Sequence, residues 1–379
     1  MSPTPTSMSD PTAPASYSWE ATDEEVARRY GLPLESIVRF DLNTSPAAPA
    51  AVAELLAAGR FETSLSEYPP SDYRRLTAAA SAVYGVPAEE ILVGAGADEI
   101  LDLVAKAFLG PGDRAVIPTP SYAMYRVLTE QRRASVVGVP RLGPGAGRAI
   151  DREAVRAAAR GAAVVWLCNP NNPTGRLEPD DLIESLLDDL AADARTGGAR
   201  APVVVLDEAY SEFVGRSLLT LRAGYPRLVV VRTVSKAYAL AGLRVGFAIA
   251  PRETLARIEP YRPPGSVSTV SVSIATAILA DRDALASNLR RVELERARLA
   301  AGLAAAGWRP EPSVTNFLLV PFASAEAAAV AAEGLLRAGL VPRTFPGDHP
   351  LANSLRLTVR DEAQDDRLLA AVQQMESTR

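Results

Sequence analysis

The chain has 379 residues, 48 % of them hydrophobic and 22 % charged, with a formal net charge of −5, which suits a globular protein with a large core or two domains and excludes a disordered chain. The acidic balance and the absence of any lysine or arginine before Arg28 exclude a basic nucleic-acid-binding arm. One cysteine excludes an internal disulfide, and one cysteine with one histidine excludes zinc clusters of those ligands, so no metal site is expected and the cytoplasm is the natural compartment.

Residues 1–16 are rich in Pro, Ser and Thr with no basic or apolar run, which predicts a flexible tail and not a signal peptide. Short apolar runs then alternate with helical patterns: strands are expected at 91–93, 115–117, 136–139, 163–168, 202–207, 228–234 and 245–250, and helices at 97–109, 121–131 and 178–194. Such alternation predicts an α/β fold, a three-layer α/β/α domain on a mainly parallel sheet. After about residue 283 a long helical stretch at 283–306 leads to strands at 316–320 and 354–359 and helices at 324–338 and 361–376, a smaller α+β domain. The expected division is a large domain at 61–282 and a small one at 283–379, joined by the N-terminal segment 17–60. GPGAG at 143–147 and RTGGARA at 195–201 read as surface turns. No run is long enough to span a bilayer, so no membrane partner is expected.

Candidate chemistry sits at strand ends. In ILVGAGADEIL (91–101) a strand meets a Gly-rich turn and a helix, so the amides of Gly96, Ala97 and Asp98 form an anion site. As a dinucleotide fingerprint it fails, because the third glycine is missing and no strand-end acid follows at the right distance. AVVWLC leads into NPNNPTGR (169–176), where Asn172 presents an amide to the sheet edge. PVVVLDEAYSEF ends its apolar run at Asp207, a carboxylate that needs a partner, and Tyr210 follows. RLVVVRTVSKAYALAGLRVGF (227–247) places Ser235, Lys236 and Arg244 after the next strand.

Of the 40 basic residues only Lys106 and Lys236 are lysines. An ammonium can lose its proton and form a Schiff base, whereas a guanidinium cannot. Lys106 falls off the apolar stripe of Ile100, Leu101, Val104 and Phe108, near the end of its helix where a cation suits the dipole, and needs no chemical role. Lys236, at the carboxyl end of a buried strand where ligands of α/β sheets bind, is the candidate nucleophile. The single histidine, His349, lies in FPGDHPLAN with no sequence partner and reads as structural or incidental.

Together these segments resemble fold-type I pyridoxal-phosphate enzymes of the class I/II aminotransferase family, over nearly the whole chain after the tail. The resemblance implies that Lys236 holds pyridoxal 5'-phosphate as a Schiff base and then moves the proton, that Asp207 pairs with the ring nitrogen, and that Asn172 and Tyr210 bond the phenolic oxygen. It further implies that Ser235, Arg244, Ala97 and Asp98 hold the phosphate and that Tyr122, in PTPSYAMY, stacks on the ring. FDLNTSP (40–46), SEYPPSDYRRL (66–76), TNFLLV and SLRLTV are similar to the histidinol-phosphate aminotransferases, which exchange an amino group between histidinol phosphate and 2-oxoglutarate. By that similarity Arg356 binds the substrate carboxylate, Arg343 the phosphate or distal carboxylate, and Tyr68 reaches the cofactor phosphate of a second subunit, implying a homodimer with shared sites.

Two departures bear on the substrate: NTSP stands where the family more often has Asn-Glu-Asn-Pro, and Arg360 stands where a glycine is common. The alternatives are an aromatic amino acid aminotransferase and a phospho-amino-acid decarboxylase acting on threonine phosphate. A non-catalytic regulator would need a DNA-binding module that the residues before Arg28 do not supply, and a nicotinamide dehydrogenase would leave the lysine segment unexplained.

Overall fold

A computed structural model describes residues 15–197 and 201–377. All but the last two residues of the tail expected at 1–16, and the middle of the turn expected at 195–201, lie outside them. The strands are β1 Val38–Arg39, β2 Ile91–Gly94, β3 Arg114–Thr119, β4 Ser135–Pro140, β5 Val164–Cys168, β6 Val203–Asp207, β7 Leu228–Thr233, β8 Gly246–Ile249, β9 Phe317–Pro321, β10 Leu340–Val341 and β11 Ser354–Thr358. Seven of them form one sheet in the order β2-β8-β7-β6-β5-β3-β4, in which β8 alone runs against its neighbours.

The reversal of β8 follows from its connection. Between Thr233 and Gly246 lies only the short 3-10 turn Ala241–Leu243, and a parallel crossover needs a longer link, usually a helix. β5 to β7 are apolar along their length because both faces are covered. Val165, Leu167, Val204, Leu206 and Val230 point into one core, and Val164, Trp166, Val203, Val205 and Val229 into the other. β4 and β5 flank β3 on opposite sides, so the strand order reverses there and opens a crevice at the carboxyl edge.

A third core gathers Phe40, Leu299, Leu303, Leu318, Leu335, Leu355 and Leu368 around the antiparallel pair β9 and β11. The segment 17–60, expected to contribute in part to this small unit, has contacts on both sides. β1 pairs with β10 there, whereas the Ala50–Ala58 helix lies against the Thr269–Ala280 helix and the first core. Helix starts follow side-chain caps: Asp151, Ser268, Asp281 and Ser324 each accept an amide hydrogen three residues on. No helix of the described residues is long and apolar enough to cross a membrane, and none of their His, Cys, Asp and Glu groups could hold a metal ion.

Candidate active site

The carboxyl ends of β3, β5, β6 and β7 deliver Tyr122, Asn172, Asp207 and Lys236 to one edge of the sheet. Lys236 lies three residues beyond β7, partly buried, with its Nζ donating to the Leu42 carbonyl at 3.3 Å and lying 5.9 Å from the Tyr210 ring centre. Burial, and then the neighbouring Arg356 guanidinium, push its ammonium down to about 8, so a usable fraction is neutral amine near physiological pH.

Asp207, the last residue of β6, is only 4 % exposed and has no ion pair among the described residues. It accepts hydrogen bonds from the Tyr125 hydroxyl at 2.7 Å and the Ala209 amide at 3.0 Å, and burial lifts its carboxyl to about 6. Tyr125 had no sequence signal of its own, since its place on the Met124–Gln131 helix reads as core; it stacks on Trp166 at 5.4 Å. Because its hydroxyl stabilises the charged carboxylate, Tyr125→Phe should raise the Asp207 titration further above 6, readable by carboxyl infrared absorbance against pH in the ligand-free protein.

Asn172 accepts from Arg356 Nη1 at 2.6 Å, which leaves its amide NH2 without a partner among the described residues. Arg356, 6 % exposed on β11, also donates to the Asp41 carbonyl and lies 5.3 Å from the Phe317 ring centre. Tyr210 packs its ring edge-on against Phe317, accepts from Asn43 Nδ2 at 3.0 Å, and is pushed up by burial, so its hydroxyl keeps its proton. Asn43 is the second residue that sequence reasoning missed. Only the FDLNTSP resemblance pointed near it.

Opposite this group lies an anion cradle. The Gly96–Phe108 helix starts beside Arg244, whose Nη2 reaches Asp98 at 3.1 Å. The second oxygen of Asp98 accepts from the Tyr122 hydroxyl at 2.9 Å, so its carboxylate fixes two neighbours while its amide stays at the helix end. Gly96 and Gly246 permit the close approach. A Cβ on Gly96 would lie 2.6 Å from Arg244 Nη2, and one on Gly246 would lie 2.6 Å from the Ala97 nitrogen. Ser235 is buried and accepts from Thr233 Oγ1 at 2.9 Å.

A cavity of about 360 Å³ runs outward from Asn172, Tyr122 and Arg356. Arg343 sits on its wall, not at its centre, bonded to the Ser18 carbonyl at 2.7 Å, 3.5 Å from Glu20 and over the Tyr17 ring. The N-terminal segment therefore closes one side, and an incoming anion must compete with Glu20 for Arg343. His349, expected to be structural or incidental, lines the same cavity, stacked on Phe345 at 4.9 Å with its Nδ1 accepting from the Leu351 amide. Tyr68 is 89 % exposed and is not brought to the site within this chain.

Residues 37–372 match the family model for aminotransferase class I and II. A histidinol-phosphate aminotransferase of Roseiflexus castenholzii is 36 % identical over 367 residues, covering 93 % of each chain. One of Xylella fastidiosa is 38 % identical over 321 residues, covering 83 % of this chain and 85 % of that one. The crystal structure of histidinol-phosphate aminotransferase from Sinorhizobium meliloti in complex with pyridoxal-5'-phosphate is similar with a TM-score of 0.84 at 26 % identity, over 95 % of this chain and 96 % of that one.

Proposed function

Because this chain belongs to the class I and II aminotransferases, we propose that it transfers the amino group of histidinol phosphate to 2-oxoglutarate with pyridoxal 5'-phosphate as cofactor. The observation that carries the reading is the meeting at one sheet edge of a lysine with a lowered pKa, a buried carboxylate with no ion pair among the described residues, and an anion cradle.

These residues fit the cofactor. Asp207 is a buried acceptor in need of a cationic donor, and the missing side chains of Gly96 and Gly246 let the helix start and the Arg244 guanidinium pack together as one anion-binding end. The amides of Ala97 and Asp98, the Ser235 hydroxyl and Arg244 would hold the phosphate, and Tyr122 would cover the ring. Asn172 and Tyr210 would bond the phenolic oxygen. Pyridoxal phosphate supplies a carbonyl that receives the amino group and a ring that withdraws the electron pair left when Cα loses its proton.

The chain's own residues do the rest. Arg356, and Arg343 once it is freed from Glu20, orient the anionic ends of the donor and the oxo acid. Lys236 Nζ, neutral in useful amount, takes the proton from the donor's Cα and holds it against the Leu42 carbonyl. Tyr17 and Ser18 keep water off the outer side of the cavity.

We extend the reading to a cytoplasmic homodimer with shared sites, supported by the exposed Tyr68 and Leu65 on one loop and by a lone, buried cysteine. Amine-donor profiling with 2-oxoglutarate tests the substrate: histidinol phosphate should give the highest kcat/KM. A higher value for phenylalanine or tyrosine would make the enzyme an aromatic aminotransferase. Carbon dioxide release from threonine phosphate without keto-acid turnover would make it a decarboxylase.

A further inference from the structure

We propose that Arg360 and Asn288 form a positioning clamp on the 41–45 turn, which in turn sets Leu42 against Lys236 and Asn43 against Tyr210. The two departures from the family pattern, in NTSP at 43–46 and at Arg360, touch each other through Thr44. Arg360 Nη1 donates to the Thr44 carbonyl at 2.9 Å and to its hydroxyl at 3.3 Å.

Arg360 is itself anchored at several points and is only 8 % exposed. Its amide donates to both oxygens of Asp365, its Nε to Gln364 at 2.8 Å, and its carbonyl accepts from Arg291. Arg291 also donates to Asn288 Oδ1 at 2.9 Å. Asn288 meets the other side of the turn through Ser45 at 3.5 Å, and donates from Nδ2 to the carbonyl of Ala237, the neighbour of Lys236, at 2.7 Å. One network thus grips both the turn and the lysine loop.

Asn43 sits at φ 53, a left-handed conformation that asparagine tolerates better than other side-chain-bearing residues, and this sets the direction in which its amide leaves the turn. From that position it donates to Tyr210, while Leu42 accepts from Lys236 and Asp41 from Arg356. Three site residues therefore take their register from backbone or side-chain atoms of a turn that Arg360 and Asn288 grip at Thr44 and Ser45, beside Asn43, which Thr358 and Asn316 bond directly.

The inference rests on Lys236 being the working amine. The experiment compares the wild type with Arg360→Gly, Arg360→Lys, Asn288→Ala, Asn43→Ala and Lys236→Arg. Arg360→Gly should lower kcat about tenfold, the worth of one charge-assisted hydrogen bond, with the donor KM within about threefold. Arg360→Lys should recover most of it, Asn288→Ala should fall between, and Arg360→Gly with Asn43→Ala should cost less than the sum of the two single losses, because the two share the Tyr210 contact while the Leu42 contact is left to Arg360. In the cofactor-free protein, amine labelling mapped by mass should raise the Lys236 to Lys106 ratio at least about threefold in Arg360→Gly, because the Leu42 carbonyl no longer holds the ammonium.

Unchanged kcat, independent losses in the double variant, or an unchanged labelling ratio would overturn the clamp. If Arg360→Gly does not fold, Arg360→Lys and Asn288→Ala decide by the same two readouts. Turnover retained in Lys236→Arg would instead show that the reading of the lysine had failed.

Discussion

Lys236→Arg is expected to abolish transamination, by at least about a thousandfold, while the protein stays folded. Arginine keeps the positive charge that Lys236 presents to the Leu42 carbonyl and the Tyr210 ring, so the variant removes chemistry more than packing. A guanidinium stays protonated at any working pH and cannot add to a carbonyl or take a proton from Cα. Lys106→Arg is the matched control. Its ammonium pairs with Asp102 one turn away at 2.6 Å, half-exposed, an interaction that arginine can replace and that is worth about 0.3–0.5 kcal/mol. Steady-state turnover with far-ultraviolet circular dichroism on both variants separates the two lysines.

The second large effect is at Asp207. Asparagine there keeps the shape and can still accept from Tyr125 or Ala209, but it carries no negative charge for a ring nitrogen to meet. Loss of a preorganised charge of this kind costs about a hundredfold to a thousandfold, so kcat of Asp207→Asn should drop by that factor. The sign of the pH effect follows from burial. With its carboxyl raised from 3.8 to about 6, Asp207 holds its proton more tightly in the folded protein than in the unfolded one. Across that window the fold gains from the extra proton, and above about 6 the buried charge weighs against folding. The cofactor-free Asp207→Asn protein should therefore melt higher than the wild type at neutral pH and be slower once loaded. Calorimetry and stopped-flow kinetics on the same preparation check the two halves.

The large sheet was legible because its strands are bounded, β-branched runs, and the strand-end rule carried the reading from them to Asn172, Asp207 and Lys236. The Thr269–Ala280 helix escaped it. TVSVSIATAILA is rich in β-branched residues and is buried on most sides, so it carries no amphipathic stripe to betray a helix. Tyr125 and Asn43 escaped for a different reason. Each acts on a residue far away in sequence, Asp207 and Tyr210, and a contact of that kind leaves no local spacing. The departures in NTSP and at Arg360 were visible as letters, but the pairing of Thr44 with Arg360 appears only when the end of β11 is laid beside the turn after β1. Arg343 shows the limit in the other direction: its residue type suited a substrate anion, and only the fold reveals Glu20 and Ser18 already against it.

One of the two amines in the chain's side chains carries the chemistry. Loading the protein with pyridoxal phosphate, reducing with borohydride and mapping the modified peptide by mass spectrometry identifies which. A single phosphopyridoxyl adduct on Lys236 is expected, with Lys106 unmodified. An adduct on Lys106, or stoichiometric cofactor binding with no adduct on Lys236, would contradict it.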